Sequence, residues 1–438
     1  MQPVAPNDAS SEVTVQNADP SQGHGLTFIG ISLFTFWVYA RPYEWSESLA
    51  WLSSAAFWIA ISTVLVFIPT QLNLGNRLTV LESEVKLVLL LISAALVSIS
   101  QSLDHSRSWT EFIDYSKVVL IFILMVNVVR TRGRLKILIF IILAITEVLA
   151  IAAVRDYVTG NLTLEGVRIR GIIEGAFSNP NDLALHFVTM APIALSLALG
   201  SRFLAGKIFY FVVGLSIMAG VVATASRAGL LGLVVALGVL GWRLARRNKA
   251  LLLVGLVCFL VIVPVMAGYS DRFSTEEASA VARTDDLKRS ILLALYHPLF
   301  GIGFNNYVLY SNTAHATHNA YTQVWVETGT PALLLYVAFI VIPLRALRKI
   351  NRAPLDRRRN DLQFIAVGLE ASICGYMVSS FFASVAYLWN VYYLIAFAIC
   401  IRWLVAESGE PSADVDNPPL EDTDLPGEFG SEGYQANG

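Results

Sequence analysis

The chain has 438 residues, 55% of them hydrophobic and only 15% charged, against roughly 25% charged in an average soluble domain. That composition excludes a soluble globular protein and places the chain in a membrane. The net charge of -2 conceals a split, because Asp8, Glu12 and Asp19 in the first 24 residues and nine acidic residues after Ala406 have no basic neighbours in either segment, which leaves about +10 on the rest. A body so charged suits anionic lipid and an anionic substrate.

In chain order, residues 1–24 are rich in Ser, Asn, Gln and Asp and lack the basic start of a cleavable signal peptide. They are expected to form a disordered cytoplasmic tail. Residues 25–405 hold apolar runs of about the ~20 residues a helix needs to cross hydrocarbon. These predict an all-α integral membrane domain of about twelve transmembrane helices, centred near 33, 59, 92, 121, 145, 191, 215, 235, 259, 339, 373 and 395. The loops "RTRGRLK" from Arg130, "RLARRNK" from Arg243 and "RALRKINRAPLDRRRND" from Arg345 are densely basic. The positive-inside rule puts them, and both termini, in the cytoplasm.

Two outer segments are long, one from Arg155 to Asn181 and the other over about 268–329, between spans nine and ten. Long ordered loops tend to carry function. Within the second, "TDDLKRSILLALYHPLF" predicts a helix with Leu287, Ile291, Leu295 and Leu299 on one stripe, and "SRAG" at Ser226 marks a short outer turn between spans seven and eight. Residues 406–438, with "NPPLEDTDLPGEFGSEG", have the composition of an acidic disordered cytoplasmic tail. Cys258, Cys374 and Cys400 all fall within predicted spans, where they read as packing residues rather than disulfide or metal partners.

The polar residues able to do chemistry gather in the outer segments. His318 precedes a span predicted to begin near Pro331, with Asn319 beside it and Glu327 about two turns on. A neutral imidazole can accept a proton at physiological pH, as a general base does; an interfacial hydrogen-bonding role is the alternative. Arg168 and Arg170 lie in "EGVRIRGIIEGAFSNPNDLALHF", and Arg227 lies in "TASRAGLLGL". An Arg at the centre of a span costs about 2.5 to 3.5 kcal/mol, and less near the interface, so it calls for a partner. A phosphate-bearing substrate is one, because a guanidinium grips phosphate oxygens through two parallel N–H bonds; snorkelling to lipid headgroups is the other reading.

Weaker patterns point elsewhere. His315 and His318 are three apart without a third ligand, and no "HExxH" occurs, so no metal site is expected. Asp285 and Asp286 are adjacent and point differently, with no nucleotide-binding domain beside them. Asp114 and Lys117 sit one turn apart as a structural ion pair or a substrate contact. No internal repeat is visible, which weakens a multi-span transporter or lipid-glycan flippase reading built on duplicated halves.

With these residues in place, the chain resembles the O-antigen ligase superfamily, which includes O-antigen polymerases and protein O-oligosaccharyltransferases. The resemblance rests on "RIRGIIEGAFSNPNDLA" from Arg168, "SRAGLLGL" from Ser226, "ARTDDLKRSILLALYHPLFGIGFNNY" from Ala282 and "HNAYTQVWVETGTPA" from His318. The last follows the family pattern of His-Asn, nine residues and Gly-x-x-Gly, with Gly329 matching and Ala332 replacing the second Gly.

The resemblance implies a C-type, metal-independent glycosyltransferase of the bacterial inner membrane, needing no cofactor and no nucleic acid. Such an enzyme passes a glycan from undecaprenyl diphosphate, at the periplasmic face, to an acceptor. In the ligases that acceptor is the lipid A core of lipopolysaccharide; a polymerase or a protein O-glycan ligase would use the same site with another acceptor. Carried over by residue, His318 is the catalytic base, while Arg170 and Arg227 hold the donor diphosphate, with Arg168 and Arg283 in second rank. Asn319 and Gly329 support them. The absence of a paired Asp/Glu arrangement suggests inversion by single displacement rather than a covalent glycosyl-enzyme.

Overall fold

A computed structural model of the protein describes residues 23–75, 78–162, 169, 177–245, 273–311, 316–353 and 361–407, with backbone only at 75, 245 and 273–283. The two tails, the predicted span near 259, His315, Arg168 and Arg170 lie outside the described residues. Those residues fold into α-helices and short 3-10 turns, with one isolated bridge between Leu162 and Ile169.

Apolar runs become helices because only a helix satisfies every backbone N–H and C=O without water. Helices stand at eleven of the predicted span positions, as α1 (Gly25–Ala40), α2 (Ala55–Gly75), α3 (Ser83–Ser98), α4 (His105–Val128), α5 (Arg132–Thr159), α6 (Pro180–Gly200), α7 (Leu204–Ala223), α8 (Arg227–Ala245) and, later in the chain, α12 (Thr330–Ile350), α13 (Asp361–Ser379) and α14 (Trp389–Glu407). Between α8 and α12 lie α9 (Phe273–Tyr296), the single turn α10 (Tyr307–Tyr310) and α11 (Ala320–Thr328). Among the described residues, nine helices are long and apolar enough to cross a membrane, so the chain is a multi-pass, all-α membrane protein. The other two are α1, with 16 residues, and α4, which carries Arg107, Glu111, Asp114 and Lys117 between its start and its middle turn.

Charge separates the two ends of the bundle. At one end, Arg402 binds both Glu82 and Glu84, Arg130 stacks 3.2 Å over the Trp403 ring, and Lys136 at the start of α5 pairs with Asp361 at the start of α13. Glu370 is buried and receives Arg243, Arg348 and Asn351 there, which supplies the partners a buried carboxylate requires. This basic end carries the loops that the positive-inside rule assigns to the cytoplasm.

Small residues bring α6, α8 and α13 together. A Cβ on Gly229 would strike Ala184, one on Gly232 would strike Ser379, and one on Gly375 would strike Val188. Backbones approach this closely in membranes because van der Waals packing takes over from the hydrophobic effect as the driving force between helices.

The helix predicted over 284–299 is present as α9, but its apolar stripe is corrected. Leu295 and Leu299 are 60% and 63% exposed, whereas Asp286, Ser290 and Ala294 form the buried stripe. The reason is polar: Asp286 accepts hydrogen bonds from Tyr307 Oη through its carbonyl (2.7 Å) and from Ser311 Oγ through its carboxylate (2.9 Å), and these turn that face inward. Asp285 faces solvent beside Lys288, so the adjacent pair does diverge.

Candidate functional site at the end opposite the basic loops

The turn before α11 is built by three consecutive residues. Asn319 caps the helix, its Oδ1 accepting from the N–H groups of Tyr321 (2.9 Å) and Thr322 (3.0 Å). Thr317 Oγ1 donates to the Asn319 carbonyl (2.9 Å) and shares a hydrogen bond with Ser384 Oγ (3.1 Å), in the connection between α13 and α14. Thr317 and Asn319 are buried, and His318 between them stays part-exposed with a left-handed backbone, φ 53°. The conformation costs free energy for a residue with a Cβ, so its neighbours hold the imidazole against a local preference.

α11 ends after nine residues, at Gly329, whose φ of 88° favours glycine and whose backbone passes so close to Leu299 that a Cβ would meet the Leu299 carbonyl. Pro331 follows in the first turn of α12, where its missing N–H costs nothing. The segment from His318 is therefore a short separate helix followed by a span, rather than the direct approach to a span that the sequence suggested. Ala332, standing where the family pattern has Gly, has its methyl fully buried.

The turn carrying Arg227 is equally ordered. Ser226 Oγ accepts from Gly229 N–H (3.1 Å), capping α8, and donates to Asn181 Oδ1 (2.8 Å) at the start of α6. The "SRAG" turn and the "SNPN" segment are thus joined directly. Arg227 occupies the first position of α8 and is exposed. A cation there opposes the positive end of the helix dipole, an arrangement that favours an anionic partner. Phe177, just ahead of the Asn-Pro-Asn, is buried among His186, Tyr39 and Trp389 and anchors the segment to the bundle.

The end of α13 bridges the two turns. Ser379 Oγ donates to the Ala228 carbonyl in the first turn of α8 (3.3 Å), while Tyr321 Oη in the first turn of α11 donates to the Met377 carbonyl (3.0 Å). His318 and Arg227 consequently share one end of the molecule, tied through residues 377–384. Of the other predicted site residues, Arg283 falls in the backbone-only part of α9. Ile169, between Arg168 and Arg170, is buried and bridges to Leu162, just past the end of α5. Lys117 and Asp114 form an exposed ion pair at 2.5 Å.

Sequence reasoning missed the tethers. Thr317 is legible as a hydroxyl two residues before a capping Asn, but Ser384, 67 residues away, carries no local signal. It also passed over the burial of Glu327. That carboxyl lies under the loop 301–307, beside Tyr387, and burial raises its pKa to about 8 against the opposing pull of the Asn305 backbone, the Tyr387 hydroxyl and the Tyr307 backbone. Asn306 fixes the same loop to α4, accepting from Asp104 N–H (3.0 Å) and donating to Ser108 Oγ (2.5 Å). Among the described residues no three His, Cys, Asp or Glu side chains gather as a metal site would require.

No curated protein matches the chain. Residues 210–337, from α7 into α12, match the family model described as O-antigen ligase, a stretch that holds both the Arg227 and the His318 turns.

Proposed function

We propose that the protein is a lipid-linked oligosaccharide glycosyltransferase of the bacterial inner membrane, with the site at its periplasmic face. It moves a glycan from undecaprenyl diphosphate to the lipid A core of lipopolysaccharide. The observation that supports this reading is that an imidazole turn and a guanidinium turn, each hydrogen-bonded to the end of α13 and the connection after it, both lie within a matched O-antigen ligase segment.

In this reading His318 takes the proton of the acceptor hydroxyl, whose oxygen attacks the anomeric carbon and inverts it. A well-placed general base contributes about 10² to 10⁴ in rate. The bond to the diphosphate oxygen breaks, and undecaprenyl diphosphate leaves without needing a proton, because Arg227 and Arg170 stabilise the charge that develops on it. Arg168 and Arg283 extend the cationic surface; Asn319 fixes the imidazole turn and Gly329 permits the break after α11. The polyprenyl chain lies against lipid-facing helices, so partition into the membrane positions the donor. No step calls on a metal.

The test is a purified-protein assay in detergent, with lipid-linked glycan and candidate acceptors, run with and without a strong chelator. Transfer by the wild type in chelator, and none by a well-folded His318→Ala variant, is the expected result. Normal transfer by that variant would defeat the base assignment, and activity restored only by Mg²⁺ or Mn²⁺ would defeat the metal-free one. Transfer to a second lipid-linked repeat rather than to lipid A core would make the protein a polymerase with the same site.

A further inference from the structure

The inward turn of Asp286, Ser290 and Ala294 leaves the opposite face of α9 outside. One stripe of that face runs through Asp285, Lys288, Leu292, Leu295 and Tyr296 and on to Leu299 in the turn that follows, at the spacing of three or four residues that one side of a helix requires. The stripe changes character along its length. Asp285 and Lys288 form an exposed ion pair, 3.7 Å apart. Beyond them Leu292 is 55% exposed and Tyr296 80%, and Leu295, Leu299 and Phe300 are exposed as well. Surfaces bathed in water rarely gather so many large apolar side chains in one place.

The apolar half of the stripe stands at the height of a membrane boundary. Thr330 N–H, at the first position of α12, donates to the Pro298 carbonyl (2.7 Å), and the Leu299 main chain passes against Gly329. From that point α12 runs on as a helix long and apolar enough to span the bilayer, and its own Leu334, one turn in, is 65% exposed. Asp285 lies about 20 Å back along the helix, far enough to stand clear of hydrocarbon. A second copy of the chain would gain nothing from a stripe that grades from ion pair to leucine, whereas the edge of a bilayer demands that order. We infer that the C-terminal half of α9 is sunk in the leaflet at the His318 end, with Leu292, Leu295, Leu299 and Phe300 among acyl chains and the Tyr296 hydroxyl reaching for the headgroups. Partition into lipid then holds α9 from outside, as the Asp286 hydrogen bonds hold it from inside.

The test uses the full chain in nanodiscs of phosphatidylethanolamine and phosphatidylglycerol in equal amounts, with the photocrosslinker p-benzoylphenylalanine at one position at a time and intact mass read after illumination. Leu334 serves as the lipid-facing reference and Asp285 as the aqueous one. Lipid adducts at Leu292, Leu295 and Leu299 within about twofold of those at Leu334, and at least about fivefold above those at Asp285, are the expected result. All three side chains are exposed, so each replacement leaves the packing intact, which thermal melts check. Adducts at all three no more frequent than at Asp285 would put the stripe in water and overturn the inference. Crosslinks to another part of the chain or to a second copy, in place of lipid, would overturn it as well, by showing that protein covers this face. The readout needs no substrate, so it stands apart from any assay of transfer.

Discussion

The imidazole of His318 is held where its own backbone resists. Thr317 and Asn319 are held by hydrogen bonds on either side, and these favour the left-handed conformation of the residue between them. His318→Gly should therefore raise thermal stability by about 1 kcal/mol, or leave it unchanged, while eliminating transfer. A drop in melting temperature on that substitution would show that the side chain serves the fold. Arg227 allows a second test of geometry. Arg227→Lys keeps the charge at the head of α8 but loses the planar fork, and we expect transfer to fall at least tenfold. Full activity would reduce the residue to a headgroup contact. The residue types at both positions were legible in the sequence because "HN" and "SR" are local; their common end of the bundle was not, since it depends on Ser384 and Ser379, both distant in the chain.

Among the elements, α11 and the loop 301–307 form one unit. Ile302 N–H donates to the Val326 carbonyl (2.8 Å), Thr330 N–H to the Pro298 carbonyl (2.7 Å), and Gly301 lies against the Glu327 backbone, where a Cβ would not fit. Glu327 sits inside that unit with Tyr387 and within the field of Glu111. A carboxyl whose folded pKa is raised above its unfolded value contributes most when protonated, so its contribution declines as pH rises from about 5 to 8. Thermal melts across that range should show the wild type losing stability, by at most about 1.4 kcal/mol per pH unit from this group. Glu327→Gln, neutral throughout, should flatten the slope; an unchanged slope would mean that Glu327 is ionised in the folded protein. Periodicity found α9 but misplaced its inner face, because hydrophobic patterning cannot see that Asp286 is worth burying once Tyr307 and Ser311 reach it. The break after α11 was half visible, in Gly329 and Pro331, and only the approach of Leu299 explains why it falls there.

For the whole molecule, composition revealed the class because a bilayer asks for length and apolarity, both of which any window of sequence displays. The pairing of helices was hidden, being decided by close approaches such as Gly232 to Ser379 and by ion pairs such as Arg402 to Glu84. Orientation rests on the basic loops. Cysteines placed at Ser48, in the exposed turn between α1 and α2, and at Arg352, past the end of α12, report on opposite ends. In intact cells an impermeant thiol reagent should label Ser48→Cys at once and Arg352→Cys only after permeabilisation. The reverse pattern would turn the protein over and put the His318 turn in the cytoplasm.

The glycine contacts among α6, α8 and α13 have a mechanical implication. Main chains seated this near to one another cannot slide without collision, so the platform beneath Arg227 is stiff whatever lies above it. If Arg227 holds the donor as proposed, tolerance for a bulkier or differently angled headgroup resides in the guanidinium's own flexible stem, which is able to swivel while the helix that bears it stays still.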